Sequence, residues 1–161
     1  MILIIVKWLL LATFLFVFFQ DIKERKVYWF LFPIIGFCCG LLLVKKQMPE
    51  IVLYTITTNI LFVVFLLIIV SMYSKFKLKT DFKNTFGLGD VLFFFAIAFS
   101  FSSISFIILF VFALIFSLIL HLFLKKKSTY KTVPLAGYMS LFFACIYTTH
   151  WLGFINTVYT I

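Results

Sequence analysis

Acidic residues are scarce in this chain: five Asp and Glu among 161 residues, against 14 Lys and Arg. Charged residues of either sign make up 12 %, about half the share usual in soluble domains. So little charge cannot clothe a water-soluble fold. Prolines number three, glycines six, cysteines three and histidines two, so helix breakers and metal ligands are both sparse. Cys38, Cys39 and Cys145 are odd in number and form no C-x-x-C pair, which excludes a paired-cysteine zinc or redox centre. All three fall inside apolar runs and read as small packing residues. His121 and His150 belong to different apolar runs, no H-E-x-x-H occurs, and a zinc peptidase is excluded on that ground. The first residues lack a basic region and a small-x-small cleavage site, so the N-terminal run reads as a retained span and not a removed signal.

What is present is apolar. Hydrophobic residues are 65 % of the chain and Phe alone occurs 25 times, with a mean hydropathy of +1.24. The sequence predicts an all-α, polytopic helical membrane protein of about six transmembrane helices, residues 1–161 forming a single integral membrane domain. The net charge of +9 could suggest nucleic acid, but that reading needs a basic face on a soluble domain. Here the basic residues sit in short clusters between apolar runs, as cytoplasmic loops do. The bilayer is the expected partner, and no nucleic acid is.

The first span is Ile2 to Phe19, and the charged loop Gln20-Asp21-Ile22-Lys23-Glu24-Arg25-Lys26 follows it. The second runs from Tyr28 to Val44, with Tyr28 and Trp29 as interfacial aromatics and Pro33 placed to bend it. Gly36 and Gly40 stand four apart in it, a helix-packing pattern. The third is Ile51 to Met72. A basic connection with alternating Phe76, Leu78, Phe82 and Phe86 comes next and suits an anionic membrane surface. Lys125, Lys126 and Lys127 read as a further anchor on anionic lipid.

From Asp90 to Leu124 no charge follows the opening Asp over 35 residues. One helix of that length would measure about 52 Å, too long for a span. Loop charge decides how to divide it. Two spans, turned at Ser100, Ser102, Ser103 and Ser105, put eleven basic residues on one side of the membrane and only Lys45 and Lys46 on the other, apart from Lys7. One span splits them seven to six. The positive-inside bias prefers the first arrangement. The sixth span then covers about Val133 to Phe154, and both chain ends lie outside the cytoplasm.

That topology gives the few acids a meaning. Asp21 closes span one and Asp90 opens span four, both on the cytoplasmic side. Two carboxylates at one depth can share a proton, because close like charges do not both ionise easily. One can then take a proton from water while the other donates to a carbonyl, which is aspartic peptidase chemistry. The helix dipole favours the anion at Asp90 and opposes it at Asp21, with Lys23, Arg25 and Lys26 offsetting part of that. Position alone also fits a capping Asp90 and a solvated Asp21.

Gly87-Leu88-Gly89-Asp90-Val91 resembles the G-x-G-D motif of the type IV prepilin peptidase family, membrane aspartic peptidases. Asp21-Ile22-Lys23-Glu24-Arg25-Lys26-Val27 resembles that family's first motif, an Asp followed by basic residues and an Ile or Val six positions on. Val133-Pro134-Leu135-Ala136-Gly137 carries a weaker likeness. The resemblance implies that Asp21 and Asp90 are the catalytic pair and that Thr85, Phe86, Gly87 and Gly89 line the approach for substrate. It implies a prokaryotic cytoplasmic membrane, prepilin-like precursors with short basic leaders as substrates, and no metal or organic cofactor. The chain departs from the family at Tyr28-Trp29, where Pro-Asn is usual, and at Leu92, where a basic residue is usual. These departures leave open a divergent substrate or an inactive relative. The cysteine-rich methylation region of larger members has no counterpart in this sequence, so peptidase activity alone is expected.

Ser100 to Ser105 fall on the outer side and read as turn or packing groups, Glu24 as an exposed loop charge, and His121 and His150 as interfacial or packing residues. The rival class is a small transporter or a structural subunit of a pilus or secretion assembly, because membrane carboxylates also serve proton relays. A transporter tends to show inverted repeats and mid-membrane polar groups. No repeat is visible, and Thr55, Thr57, Thr58 and Asn59 fall near the outer half of span three.

Overall fold

In lipid each backbone N–H must find its acceptor within the protein, so apolar segments of this kind settle as helices. The computed structural model describes residues 1–78, 87–124, 133–155 and 157–159. It contains α1 (Ile2–Glu24), α2 (Leu31–Val44), α3 (Pro49–Tyr73), α4 (Leu88–Ile97), α5 (Ser103–Leu124) and α6 (Leu135–Trp151). A π-helical turn, Ser74–Leu78, continues α3, and a 3-10 turn, Thr157–Tyr159, follows α6. No strand occurs among the described residues. The chain is an all-helical membrane protein. Ile2–Glu24, Pro49–Phe76 and Ser103–Leu124 are each long and apolar enough to cross a bilayer. α4 has only 10 residues, about 15 Å, half the hydrocarbon thickness.

The division of 90–124 falls where the serines sit. α4 ends at Ile97 and α5 begins at Ser103. Ser100 donates its hydroxyl to Ile97 O, and Asn59 of α3 donates to Ala98 O at 2.9 Å and Phe101 O at 3.1 Å. The fully buried Asn59 amide thus satisfies turn carbonyls that no Gly or Pro relieves. Thr57 and Thr58 bond carbonyls of their own helix at 2.9 and 2.8 Å. The polar stripe of span three is therefore committed to structure.

α2 starts three residues later than expected. Leu31 N–H bonds Tyr28 O at 3.2 Å and Phe32 N–H bonds Trp29 O at 3.4 Å, so the interfacial aromatics form a turn ahead of the helix. Pro33 is its third residue, where an N–H has no intrahelical acceptor to lose. It belongs to the start of the helix and not to a bend within it. α3 begins with Pro49 at its first position, the favoured place for it.

α1 and α6 pack antiparallel. Lys7, near the start of α1, lies 5.1 Å from the Trp151 ring at the end of α6. At the opposite end Asp21 meets Gly137. Rings fill the space between: Phe14 of α1 contacts Phe93 of α4 at 6.3 Å and Tyr147 of α6 at 6.0 Å, and Phe94 meets Phe110 of α5 at 4.9 Å. Lipid tails are as apolar as these side chains, so association rests on packing and hydrogen bonds rather than on escape from water. Edge and tilted ring pairs add about 0.5–1.5 kcal/mol each. Outward faces are apolar too: Phe123 is 80 % exposed, a lipid-facing position.

Phe93→Ala is expected to cost about 3–5 kcal/mol in detergent unfolding, because the ring touches α1, α2 and α6. Phe123→Ala is expected to change stability by less than about 0.5 kcal/mol.

Candidate functional site

The site forms where three helix ends meet. α6 opens at Leu135 after Pro134, and no side chain of its own caps it. Its first-turn N–H groups therefore need acceptors from elsewhere. Two carboxylates supply them. Ala136 N–H donates to Asp90 Oδ1 at 2.8 Å and Gly137 N–H donates to Asp21 Oδ2 at 2.6 Å. Consecutive amides of one helix thus hold two acids 69 positions apart in sequence. A helix N-terminus carries about half a positive charge, and each charge-assisted bond contributes about 1.5–3 kcal/mol. Asp90 lies close enough to Asp21 for their charges to act on each other.

Asp21 stands in the last turn of α1 and is buried, 8 % exposed. The α6 backbone comes this near because residue 137 is glycine: a Cβ there would lie 2.9 Å from Asp21 Cβ and 3.1 Å from its Oδ2. Asp90 is half-buried, at the third position of α4 after its N-cap Gly87. Its carboxylate also faces the Gly87 N–H, the reach-back of a capping box, and a Cβ on Gly87 would sit 3.1 Å from Asp90 Oδ2. Capping and convergence with Asp21 are thus the same geometry. Both carboxylates share the α6 terminus, so a third helix N-terminus acts on the pair besides the ends of α1 and α4.

Gly87 and Gly89 stand just before Asp90, and Phe32 of α2 closes one side, 3.7 Å from where a Gly89 Cβ would be. Thr85 and Phe86, expected along the approach, lie outside the described residues, as do Lys125, Lys126 and Lys127. Leu92 is on the wall of an apolar cavity of about 570 Å³ between α2 and α4, with Phe32, Gly36, Gly40, Phe95 and Phe99. Gly36 faces Ala96 and Phe99 with contacts of 3.6 and 3.7 Å from a built Cβ, so the glycine pair meets a neighbouring helix and also opens this cavity. Cys38 and Cys39 are buried, and Tyr147 donates its hydroxyl to Cys39 Sγ at 3.3 Å.

His150 Nδ1 is 2.6 Å from Ile155 O, a packing role at the opposite end of α6. His121 stands in the last turn of α5 and is buried, its face of the helix turned inward. Among the described residues no group of three or more His, Cys, Asp or Glu could hold a metal ion. The Pro134–Gly137 wall is the part of the site that sequence reasoning undervalued. Its signal was two small residues, Ala136 and Gly137, just beyond the Pro134-Leu135 helix start.

No protein-family model, curated protein or solved structure matches this chain.

Gly137→Ala is expected to lower stability by about 1–3 kcal/mol through overpacking against Asp21. Gly40→Ala, whose methyl would meet Phe99 no closer than 3.9 Å, is expected to leave stability unchanged or raise it by up to about 1 kcal/mol. Paired thermal unfolding of the two variants checks this.

Proposed function

We propose that the chain is an aspartic endopeptidase of a prokaryotic cytoplasmic membrane, with Asp21 and Asp90 as its catalytic pair. The observation that carries the reading is the convergence of these two carboxylates on the adjacent amides of Ala136 and Gly137. The likeness of 87–91 and 21–27 to the prepilin peptidase motifs gives the substrate class: precursors with a short basic leader and an apolar helix behind it. The positive-inside reading of the loops, with six crossings, would set the pair at the cytoplasmic rim, where such a boundary lies. The apolar cavity between α2 and α4 has Leu92, two residues after Asp90, on its wall, and it would take the apolar part of such a substrate.

The chemistry follows from two carboxyls sharing one proton. The ionised member takes a proton from a water held between them, and the water oxygen bonds to the scissile carbonyl carbon. The protonated member gives its proton to the carbonyl oxygen, forming a neutral diol. Collapse breaks the C–N bond as the carboxyl that took the water proton gives it to the leaving nitrogen, while one diol hydroxyl returns its proton to the other carboxylate; the product carbonyl forms and the singly protonated pair is restored. The α6 amides take Asp21 Oδ2 and Asp90 Oδ1, and the remaining lone pairs of the two carboxyls are what water and substrate would use. No metal or organic cofactor enters these steps.

Co-expression with prepilin-like precursors tests the reading. Leader removal is expected in the parent and is expected to fall by at least about a thousandfold in Asp21→Asn and in Asp90→Asn, since each removes half of an acid–base unit. A bell-shaped pH dependence is expected from the coupled pair. Undiminished processing in both variants would reject the peptidase in favour of a transport or scaffold role.

A further inference from the structure

The last turn of α1 ends in a way that its sequence position does not require. Arg25 closes the helix at φ 56° and ψ 21°, with its N–H bonded to Asp21 O at 3.2 Å. Among the described residues it is the one non-glycine with a positive φ. A left-handed backbone is unfavourable for an L-residue, and glycine is the usual occupant of this place in a helix stop. Retaining an arginine here sacrifices stability for a side chain.

That side chain is directed at the acids. Asp21 and Arg25 are four residues apart, the spacing that puts two side chains on one helix face. The Nε and Nη1 atoms of Arg25 are sealed from solvent, while Lys23 and Lys26 are exposed. The Arg25 charge acts on Asp21 of its own helix, on Asp90 of α4 and on Tyr138 of α6. A half-buried cation and a helix N-terminus thus both lie within electrostatic reach of the two acids. Two carboxyls this close repel whenever both are ionised, and a neighbouring cation offsets that repulsion.

We infer that Arg25 is a positioning residue of the site, whose guanidinium, set by the left-handed end of α1, keeps Asp21 and Asp90 together on the α6 amides. The inference rests on the peptidase reading. It also accounts for how the pair obtains a neighbouring cation although Leu92 brings none.

Arg25→Gly separates the guanidinium from the helix stop, because glycine takes the same backbone without strain. The expected result is a melting temperature in detergent equal to or above the parent's, with kcat for leader removal lowered on the order of ten- to a hundredfold and KM within about twofold. Arg25→Lys is expected to retain most of kcat. Arg25→Asn, also tolerant of the left-handed region, is the second charge-free variant if the glycine form does not accumulate, and should match its loss. Parent-level kcat in Arg25→Gly or Arg25→Asn, or a lysine variant as slow as either, overturns the positioning role. Loss of activity in Asp21→Asn and Asp90→Asn alongside such a result would leave the peptidase reading standing, whereas active aspartate variants would remove both.

Discussion

Two hydrogen bonds hold this structure to its purpose: consecutive backbone N–H groups at the start of α6, each taken by a carboxylate from a different helix. A helix terminus in an apolar setting cannot leave its donors unpaired, and an acid in the same setting cannot remain without donors. Each need answers the other. α6 gains the caps that Pro134 does not supply, and Asp21 and Asp90 gain a shared anchor. A third helix is thus required to make two distant acids neighbours.

The rest of the bundle can be understood as what places those three ends together. The antiparallel pairing of α1 with α6 is fixed at both extremes, by Lys7 over Trp151 and by Asp21 against Gly137. Phe14, Phe93, Phe143 and Tyr147 set the spacing between. α4 is stopped after 10 residues by a turn that Asn59 clamps from α3, so the helix bearing Asp90 is anchored at its far end by a polar group buried for that task. Strain appears at Arg25, beside the acids, where a functional site is the usual reason for it.

Much of the architecture was legible in residue order. Long apolar runs marked α1, α3 and α5, and the distribution of lysines divided 90–124 where Ser100 and Ser102 do turn the chain. The same charge bias put Asp21 and Asp90 on one side, and the structure brings them together. The wall behind them was harder to read, because a backbone amide has no signature in sequence. Ala136 and Gly137 matter for lacking bulk, and only the approach of Asp21 Cβ reveals that. Arg25 looked like one more loop charge, since a positive φ is a property of the fold and not of the residue name. The start of α2 was placed three residues early because interfacial aromatics such as Tyr28 and Trp29 suit the first turn of a span and a turn ahead of it equally well.

The central claim is proximity of two side chains, and the most direct measurement is chemical cross-linking in native membranes. In a background with Cys38, Cys39 and Cys145 replaced, Asp21→Cys and Asp90→Cys together should be bridged rapidly by a bis-thiosulfonate with a single methylene, giving one intramolecular product. Bridging only by long, flexible reagents, or no faster than for a pair at opposite ends of α1 and α4, would contradict the account.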